Sequence, residues 1–151
     1  MKIRLAEKCD CLDLLRWRNN YKTILNTVSQ SAITYFEHCK WFNKVIRSTT
    51  SDIFIGYDQK ERMKFGMIRF DKRDKNLIEV SINMCPRFRG KRLGEKFLKQ
   101  AINLASSFSP KSILIARVMV GNNASRKLFK KCGFNITSIK NKTVHFSYKI
   151  H

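Results

Sequence analysis

Hydrophobic positions along the chain follow a helical period in some segments and a two-residue period in others. Apolar residues recur at helical spacing in three segments, and a fourth segment ends at a glycine typical of a helix C-terminus. The pattern therefore predicts helices over residues 9–20, 34–47, 90–107 and 123–131. The second of these begins with Thr34 and has Glu37 three residues later, which is the arrangement of a capping box.

The segments between these helices alternate apolar and polar residues and predict strands. They cover residues 1–5, 51–57, 62–70, 77–84, 112–120, 134–139 and 143–150. Polar turns at 58–61 and 71–76 join three of them as an antiparallel meander. The order β-α-α-β-β-β-α-β-α-β-β indicates an α+β domain with a mixed sheet.

Length and composition fit one domain over residues 1–151. The chain has 151 residues, of which 43% are hydrophobic, enough to form a core. Its apolar runs are far shorter than the roughly 18 residues that span a bilayer. Charged residues interrupt the first segment before the apolar stretch of a signal peptide develops. We therefore expect a soluble, cytoplasmic protein that does not enter a membrane.

The number and spacing of the cysteines indicate reduced thiols rather than disulfides. They are five in number and scattered along the chain, at Cys9, Cys11, Cys39, Cys85 and Cys132. Cys9 and Cys11 are separated by one residue, and no second pair of cysteines or histidines has the spacing of zinc ligands. We expect no metal site.

The chain is strongly basic, with 31 Lys and Arg against 11 Asp and Glu, a net charge of +20. Such a charge suits nucleic acid, an anionic membrane surface or small polyanions such as phosphorylated cofactors. The basic residues are spread along the chain, and aromatic residues do not interleave with a basic stripe, so we do not expect a nucleic-acid partner. The densest cluster of basic residues spans residues 87–92.

That cluster lies between a predicted strand and a predicted helix, and it indicates an anion site. The first N–H groups of a helix lack intrahelical partners, and the helix dipole favours negative charge there. Gly90 and Gly94 let a ligand approach the backbone closely. The spacing is not that of a nucleoside-triphosphate P-loop. A solvated helix start is the alternative interpretation.

Two motifs give the cluster a more specific meaning. Arg89-Gly90-Lys91-Arg92-Leu93-Gly94 resembles the Gln/Arg-x-x-Gly-x-Gly/Ala signature that binds acetyl-CoA after the fourth strand of the GCN5-related N-acetyltransferase (GNAT) family. The segment 122–134 resembles the family's Asn-x-Ala-Ser…Tyr-x-x-x-Gly-Phe segment after the fifth strand. The resemblance covers nearly the whole chain. It implies the GNAT fold: a mostly antiparallel sheet of about seven strands, four helices, and fourth and fifth strands that splay apart.

The resemblance also implies which residues bind acetyl-CoA. The backbone N–H groups of residues 89–94 hold the pyrophosphate, and the pantetheine arm lies between the splayed strands. The other implied contacts come from Ile82, Asn83, Met84, Asn122, Ser125 and Phe129. Arg92 stands at the position of the signature's first glycine. Because a residue at a helix start need not have positive φ, we expect acetyl-CoA binding to be retained. Phe129 replaces the family's proton-donating Tyr and can only pack near the pantetheine.

The family's chemistry implies two further roles. The amine must lose a proton before it attacks the thioester. Glu79 lies where the family often places a general base that acts through water; a surface glutamate pointing away is the alternative. Tyr148 and His145, on the last strand, are candidate acids for the departing thiolate. A backbone N–H near Met84 would hold the oxyanion.

The N-terminal half of the chain indicates which amine accepts the acetyl group. Trp17-Arg18-Asn19 and the later His38-x-x-Trp41-Phe42 resemble a subgroup that includes N-acetyltransferases of amino-sugar nucleotides, among them one in pseudaminic acid synthesis. By that resemblance, Arg18 and His38 bind the nucleotide-sugar, a precursor of a surface glycan or nonulosonic acid. Structural roles remain open for both: a charge at a helix C-terminus for Arg18 and core packing for His38.

Alternative functions remain within the same family. The same elements occur in relatives resembling ribosomal-protein N-terminal acetyltransferases, so acetylation of a protein N-terminus or lysine is the first alternative. A catalytically silent, CoA-responsive binding module is the second, because Phe129 lacks an acidic proton. The sequence leaves both a monomer and a homodimer open.

Overall fold

A computed structural model describes residues 1–151 and shows one seven-stranded sheet. The strands are β1 (Lys2–Leu5), β2 (Ser51–Asp58), β3 (Met63–Asp74), β4 (Leu77–Met84), β5 (Ile113–Met119), β6 (Asn135–Lys140) and β7 (Thr143–Lys149). Their spatial order is β1-β2-β3-β4-β5-β7-β6. β4 and β5 pair in parallel, and every other pair is antiparallel. The predicted α+β class and mixed, mostly antiparallel sheet are confirmed.

Five helices accompany the sheet, one more than predicted. They are α1 (Cys11–Arg18), α2 (Tyr21–Leu25), α3 (Tyr35–Val45), α4 (Leu93–Phe108) and α5 (Asn123–Lys131). The predicted helix 9–20 ends early because Asn20 adopts an extended backbone with ψ 135°, after which the chain restarts as α2. The predicted capping box of α3 is present: Thr34 Oγ1 accepts from the Glu37 N–H at 3.2 Å, and Glu37 Oε2 accepts from the Thr34 N–H at 3.0 Å.

The helices cover the two faces of the sheet and form two apolar clusters. α4 and α5 pack on one face, where the buried residues of α4 recur along one side of the helix: Phe97, Leu98, Ala101, Ile102 and Ala105. α1 and α3 pack on the other face through Leu14, Trp17, Phe42 and Val45. No helix is both long enough and apolar enough to cross a membrane. The sheet is therefore sandwiched between two helical layers.

The feature that positions the site is the separation of β4 from β5. Their pairing begins at Leu77 with Ile113 and ends at Glu79 with Ile115. β4 continues to Met84 and β5 to Met119 without further pairing to each other. The predicted splay is confirmed, and it opens the sheet between its fourth and fifth strands.

Candidate functional site

A cavity of about 860 Å³ lies where β4 and β5 separate. Residues 80–84 of β4 and 117–119 of β5 form two of its walls, and the start of α4 and the inner side of α5 form a third. The N-terminal half closes the remaining side with residues of α1, α2 and α3. A ligand in this cavity therefore meets both halves of the chain.

The loop of residues 89–94 presents unpaired backbone N–H groups at one end of the cavity. Gly90 has a φ of 76°, and Arg92, the residue before α4, has a φ of 59°. The N–H groups of Gly90, Lys91 and Arg92 have no backbone acceptor. The first turn of α4 adds further free N–H groups and the positive end of its dipole. Successive free N–H groups in a tight turn form a concave anion site, so the loop fits a phosphate-bearing group such as CoA.

The φ of Arg92 corrects the expectation that this helix start needs no positive φ. The chain turns sharply from the loop into α4 at this residue, and the left-handed conformation makes the turn. A side chain in that conformation costs about 1 kcal/mol relative to glycine, which explains the glycine that the family signature has here. The structure keeps the turn and the free N–H groups with arginine in place.

The Arg89 side chain fixes the loop rather than facing a phosphate. Its Nε donates to the Met84 carbonyl at 3.1 Å. Its terminal nitrogens donate to Asn20 Oδ1 at 3.0 Å and to Thr23 Oγ1 at 2.6 Å. The guanidinium thus ties the loop to the end of β4 and to the start of α2. The predicted role of Arg89 remains that of its backbone.

The second motif lies on the adjacent wall. Asn122 precedes α5 and caps it, because its Oδ1 accepts from the Ser125 N–H at 3.2 Å. The side-chain N–H₂ of Asn122 has no protein partner and remains free for a ligand. Phe129 is 2% exposed and packs edge-on against Phe134 at 5.0 Å between ring centroids. Its ring also forms part of the cavity wall.

The predicted site residues divide into those that the cavity brings together and those that it does not. The cavity wall contains Arg18, His38, Ile82, Asn83, Met84, Arg89, Gly90, Arg92, Leu93, Gly94, Asn122, Ser125 and Phe129. Lys91, Glu79 and Tyr148 are outside the wall. The Lys91 ammonium instead lies over the ring of Phe88, 5.3 Å from its centroid.

Glu79 is held in an ion-pair cluster. Oε1 accepts a hydrogen bond from Arg117 Nε at 2.9 Å, and Oε2 accepts one from Arg73 Nε at 2.7 Å. The Nη2 atoms of Arg117 and Arg73 form ion pairs with the same two oxygens at 2.9 and 2.6 Å. Burial acts to raise the pKa of the Glu79 carboxyl, but hydrogen bonds and charges from Arg117 and Arg73 outweigh it and hold the pKa below its ordinary value. The group is therefore a stable carboxylate behind the cavity wall, which does not favour the predicted role as a base.

Tyr148 is not placed to protonate a leaving group in the cavity. β7 runs antiparallel to β5 and pairs Tyr148 with Leu114, near the closed end of the β4–β5 gap. The ring packs on Phe134, with centroids 5.3 Å apart. His145, the other candidate acid on β7, pairs with Arg117 and lies nearer the open end. The strand register thus separates Tyr148 from the reaction centre that the sequence predicted for it.

Arg18 of α1 and His38 of α3 both line the cavity on the side formed by the N-terminal half. The Arg18 nitrogens make only long contacts, to the Ser31 carbonyl at 3.3 Å and to Ser29 Oγ at 3.4 Å. His38 is 2% exposed, and its Nε2 lies 2.8 Å from the Cys11 carbonyl. A carbonyl only accepts, so Nε2 carries the proton and Nδ1 of the neutral ring is the free base. Burial lowers the pKa of His38 and keeps the ring neutral.

The cavity wall is strongly positive, and sequence reasoning missed two of the arginines responsible. Its charged side chains are eight cations against one carboxylate: Arg18, Lys22, Arg69, Arg89, Arg92, Arg117, Lys127 and Lys131 against Glu95. Glu95 is itself paired with Lys99 at 2.8 Å. Arg69 and Arg117 come from separate strands, and no local motif marks them. Only the strand register brings them to the cavity.

Comparison with known proteins identifies the class. A family model for the acetyltransferase (GNAT) domain matches residues 2–135. The chain therefore belongs to the GNAT acetyltransferase family. It is an N-acetyltransferase, and acetyl-CoA is its acyl donor. A search of curated protein sequences finds no match.

Solved structures share the fold at low sequence identity. A domain from Methanocaldococcus jannaschii superposes with a TM-score of 0.86 at 19% identity, covering 99% of this chain and 97% of the other. Spermidine N-acetyltransferase from Vibrio cholerae, in complex with CoA and spermine, has a TM-score of 0.86 at 16% identity, with 98% and 94% covered. An N-acetyltransferase from Staphylococcus aureus has a TM-score of 0.79 at 23% identity, with 98% and 97% covered.

Proposed function

We propose that this acetyltransferase modifies the amine of an anionic small molecule, and that the acceptor is a nucleotide-activated amino sugar. The observation that carries the proposal is the charge of the cavity wall outside loop 89–94, α4 and α5, where Arg18, Lys22, Arg69 and Arg117 line the cavity and no carboxylate does. Two like charges about 4 Å apart repel each other by about 1 kcal/mol in water and about 4 kcal/mol near a protein surface. Such a wall disfavours a polycation and favours an acceptor that carries negative charge.

This charge distribution separates the chain from its Vibrio cholerae neighbour, which is a spermidine N-acetyltransferase. Binding a polyamine calls for carboxylates along the acceptor path, and the only acidic residue in this wall, Glu95, is already paired with Lys99. The shared fold therefore does not imply a shared acceptor.

The nucleotide-sugar assignment rests on the N-terminal motifs. Arg18 and His38 both line the cavity, as that resemblance requires. The contacts of Arg18 at 3.3 and 3.4 Å are weak, so its guanidinium can turn toward a pyrophosphate and form bidentate hydrogen bonds with it. These features support a nucleotide diphosphate as part of the acceptor.

In the proposed reaction, the chain holds both substrates in one ternary complex. Acetyl-CoA supplies the acetyl group as a thioester. The N–H groups of loop 89–94 hold its pyrophosphate, while β4 and Asn122 contact the pantetheine arm. The acceptor nitrogen loses a proton and attacks the thioester carbonyl, and the thiolate leaves.

We assign the loss of the amine proton to His38 rather than to Glu79. His38 lies in the cavity wall as a neutral ring, and its unprotonated Nδ1 has no protein hydrogen-bond partner. Glu79 lies behind the wall, and both of its oxygens accept from arginines. Glu79 then acts as a positioning residue that orients Arg117.

The proposal is tested by following CoA thiol release with a panel of amines. The panel contains nucleotide-activated 3- and 4-amino-6-deoxy sugars, spermidine, and acidic and basic peptides with free N-termini. We expect turnover with the amino-sugar nucleotides. Turnover with peptides alone would move the enzyme to the protein-modifying alternative. Acetyl-CoA binding without turnover on any amine would favour the binding module.

A further inference from the structure

A row of three polar side chains crosses β3, β4 and β5 where the sheet opens. Arg69 of β3 pairs with Ser81 of β4. Ser81 lies two residues beyond Glu79, and Arg117 lies two residues beyond Ile115, the β5 partner of Glu79. Alternate residues of a strand share a face, so the three side chains lie on one face of the sheet. All three line the cavity.

Arg69 is fixed in place with its terminal nitrogens free. Its Nε donates to Asp71 Oδ2 at 2.8 Å, and its guanidinium lies over the Trp41 ring, 5.5 Å from the centroid. Asp71 is itself held by the Ser51 hydroxyl at 2.7 Å. Neither Nη atom of Arg69 has a protein hydrogen-bond partner. The side chain is therefore oriented before a ligand arrives.

Arg117 is fixed in a similar way from the other side of the gap. Glu79 Oε1 accepts a hydrogen bond from its Nε and forms an ion pair with its Nη2, both at 2.9 Å, which leaves Nη1 without a protein partner. Between the two arginines, the Ser81 hydroxyl also has no protein hydrogen-bond partner. Free donors from three adjacent strands thus face one part of the cavity.

We propose that Arg69, Ser81 and Arg117 bind an oxyanion of the acceptor, either a phosphate or a carboxylate. The inference rests on the proposed function, because it assumes an anionic acceptor. The local charges are three cations against two carboxylates: Arg69, Arg73 and Arg117 against Asp71 and Glu79. One net positive charge with preoriented donors matches a single oxyanion group. This row is separate from loop 89–94, which holds the phosphates of CoA.

Arg73 supplies a matched control for this proposal. Arg73 and Arg117 both pair with the Glu79 carboxylate, but only Arg117 lines the cavity. Removing either charge therefore disturbs the same ion-pair cluster and lowers the net charge by the same amount. An effect seen with Arg117→Gln but not with Arg73→Gln belongs to the oxyanion site.

The first measurement is direct binding, which needs no turnover. Uridine diphosphate and malonate are titrated into the protein with saturating CoA, and the arginine Nε–Hε signals are followed by NMR. We expect one or both probes to shift the signals of Arg69 and Arg117, and the double variant Arg69→Gln/Arg117→Gln to weaken binding roughly tenfold or more. The two probes distinguish a phosphate ligand from a carboxylate. No binding, or equal weakening in Arg73→Gln, would overturn the proposal.

The second measurement uses the acceptor itself. For an amino-sugar nucleotide, Arg69→Gln and Arg117→Gln should each raise the acceptor KM roughly tenfold and leave the acetyl-CoA KM unchanged. If nucleotide-sugar turnover is unaffected by both variants, the oxyanion site is refuted while the proposed function stands. If the probes bind at the row but no nucleotide sugar is acetylated, the nucleotide-sugar assignment fails and the oxyanion site stands.

Discussion

Replacing Glu79 with glutamine tests whether this residue orients Arg117 or acts as the general base. Its carboxylate accepts from Arg117 at 2.9 Å and from Arg73 at 2.6 and 2.7 Å, and the group is not part of the cavity wall. Glu79→Gln keeps the side-chain shape and removes the charge that orients Arg117. We therefore expect the acceptor to bind more weakly and the chemical step to stay nearly unchanged.

The structure sets the size of this effect. A hydrogen bond to a charged group contributes about 1.5–3 kcal/mol. The Arg117 side chain is 55% exposed, and solvent screening reduces its pairing with Glu79 to about 1 kcal/mol. Since about 1.4 kcal/mol corresponds to a factor of ten, the acceptor KM should rise about fivefold. Loss of a general base would instead lower kcat by about 10²–10⁴.

The assay is steady-state thiol release with the acceptor varied at saturating acetyl-CoA, at several pH values. The low pKa of the Glu79 carboxyl keeps it ionised from pH 5 upward, so the acid limb of the profile should be the same in wild type and Glu79→Gln. Arg73→Gln serves as the control that disturbs the same cluster outside the cavity. A hundredfold fall in kcat, or loss of the acid limb in Glu79→Gln, would refute the positioning role.

Three further predictions concern the base, the loop and the fold. His38→Gln should lower kcat at least a hundredfold and abolish the acid limb of the pH profile. The lowered pKa of His38 places this limb below about pH 6.5. An acid limb that is unchanged in the variant would exclude His38 as the base. Arg92→Gly should raise stability in urea denaturation by about 0.5–1 kcal/mol, because it removes a side chain at φ 59°, and destabilisation would contradict this reasoning. The fully buried Asp10 carboxylate accepts hydrogen bonds from Arg4 and Lys64. Burial acts to raise the pKa of Asp10, but the hydrogen bonds outweigh it and lower the pKa from 3.8 to about 2. The free energy of unfolding should therefore differ most between wild type and Asp10→Asn above pH 4, and the difference should shrink by about 2 kcal/mol as the pH falls toward 2. A difference that stays constant with pH would argue against the ion pairs.

The fold could be predicted from the sequence because its signals are local and periodic. Two-residue alternation marks β3 and β4, and helical spacing with a capping box marks α3. α2 was missed because a five-residue helix is too short to show a period, and the break at Asn20 depends on its backbone. The left-handed Arg92 was missed because arginine carries no signal for that conformation.

The two sides of the site were not equally accessible to sequence reasoning. Loop 89–94 and the start of α5 are continuous segments, so their motifs could be recognised directly. The partners of Glu79 depend on strand register, since Arg117 lies 38 residues away along the chain. The same holds for Arg69 and for the distance of Tyr148 from the cavity. Registers of this kind are fixed by tertiary packing, which the sequence pattern alone does not specify.

Acceptor selectivity by charge is the most direct test of the account. The measurement compares kcat/KM for an amino-sugar nucleotide with kcat/KM for spermidine, at low and at high salt. The positive cavity wall predicts at least a hundredfold preference for the nucleotide sugar, which decreases as salt screens the charges. A preference for spermidine, or turnover of the nucleotide sugar that does not depend on salt, would contradict an anionic acceptor.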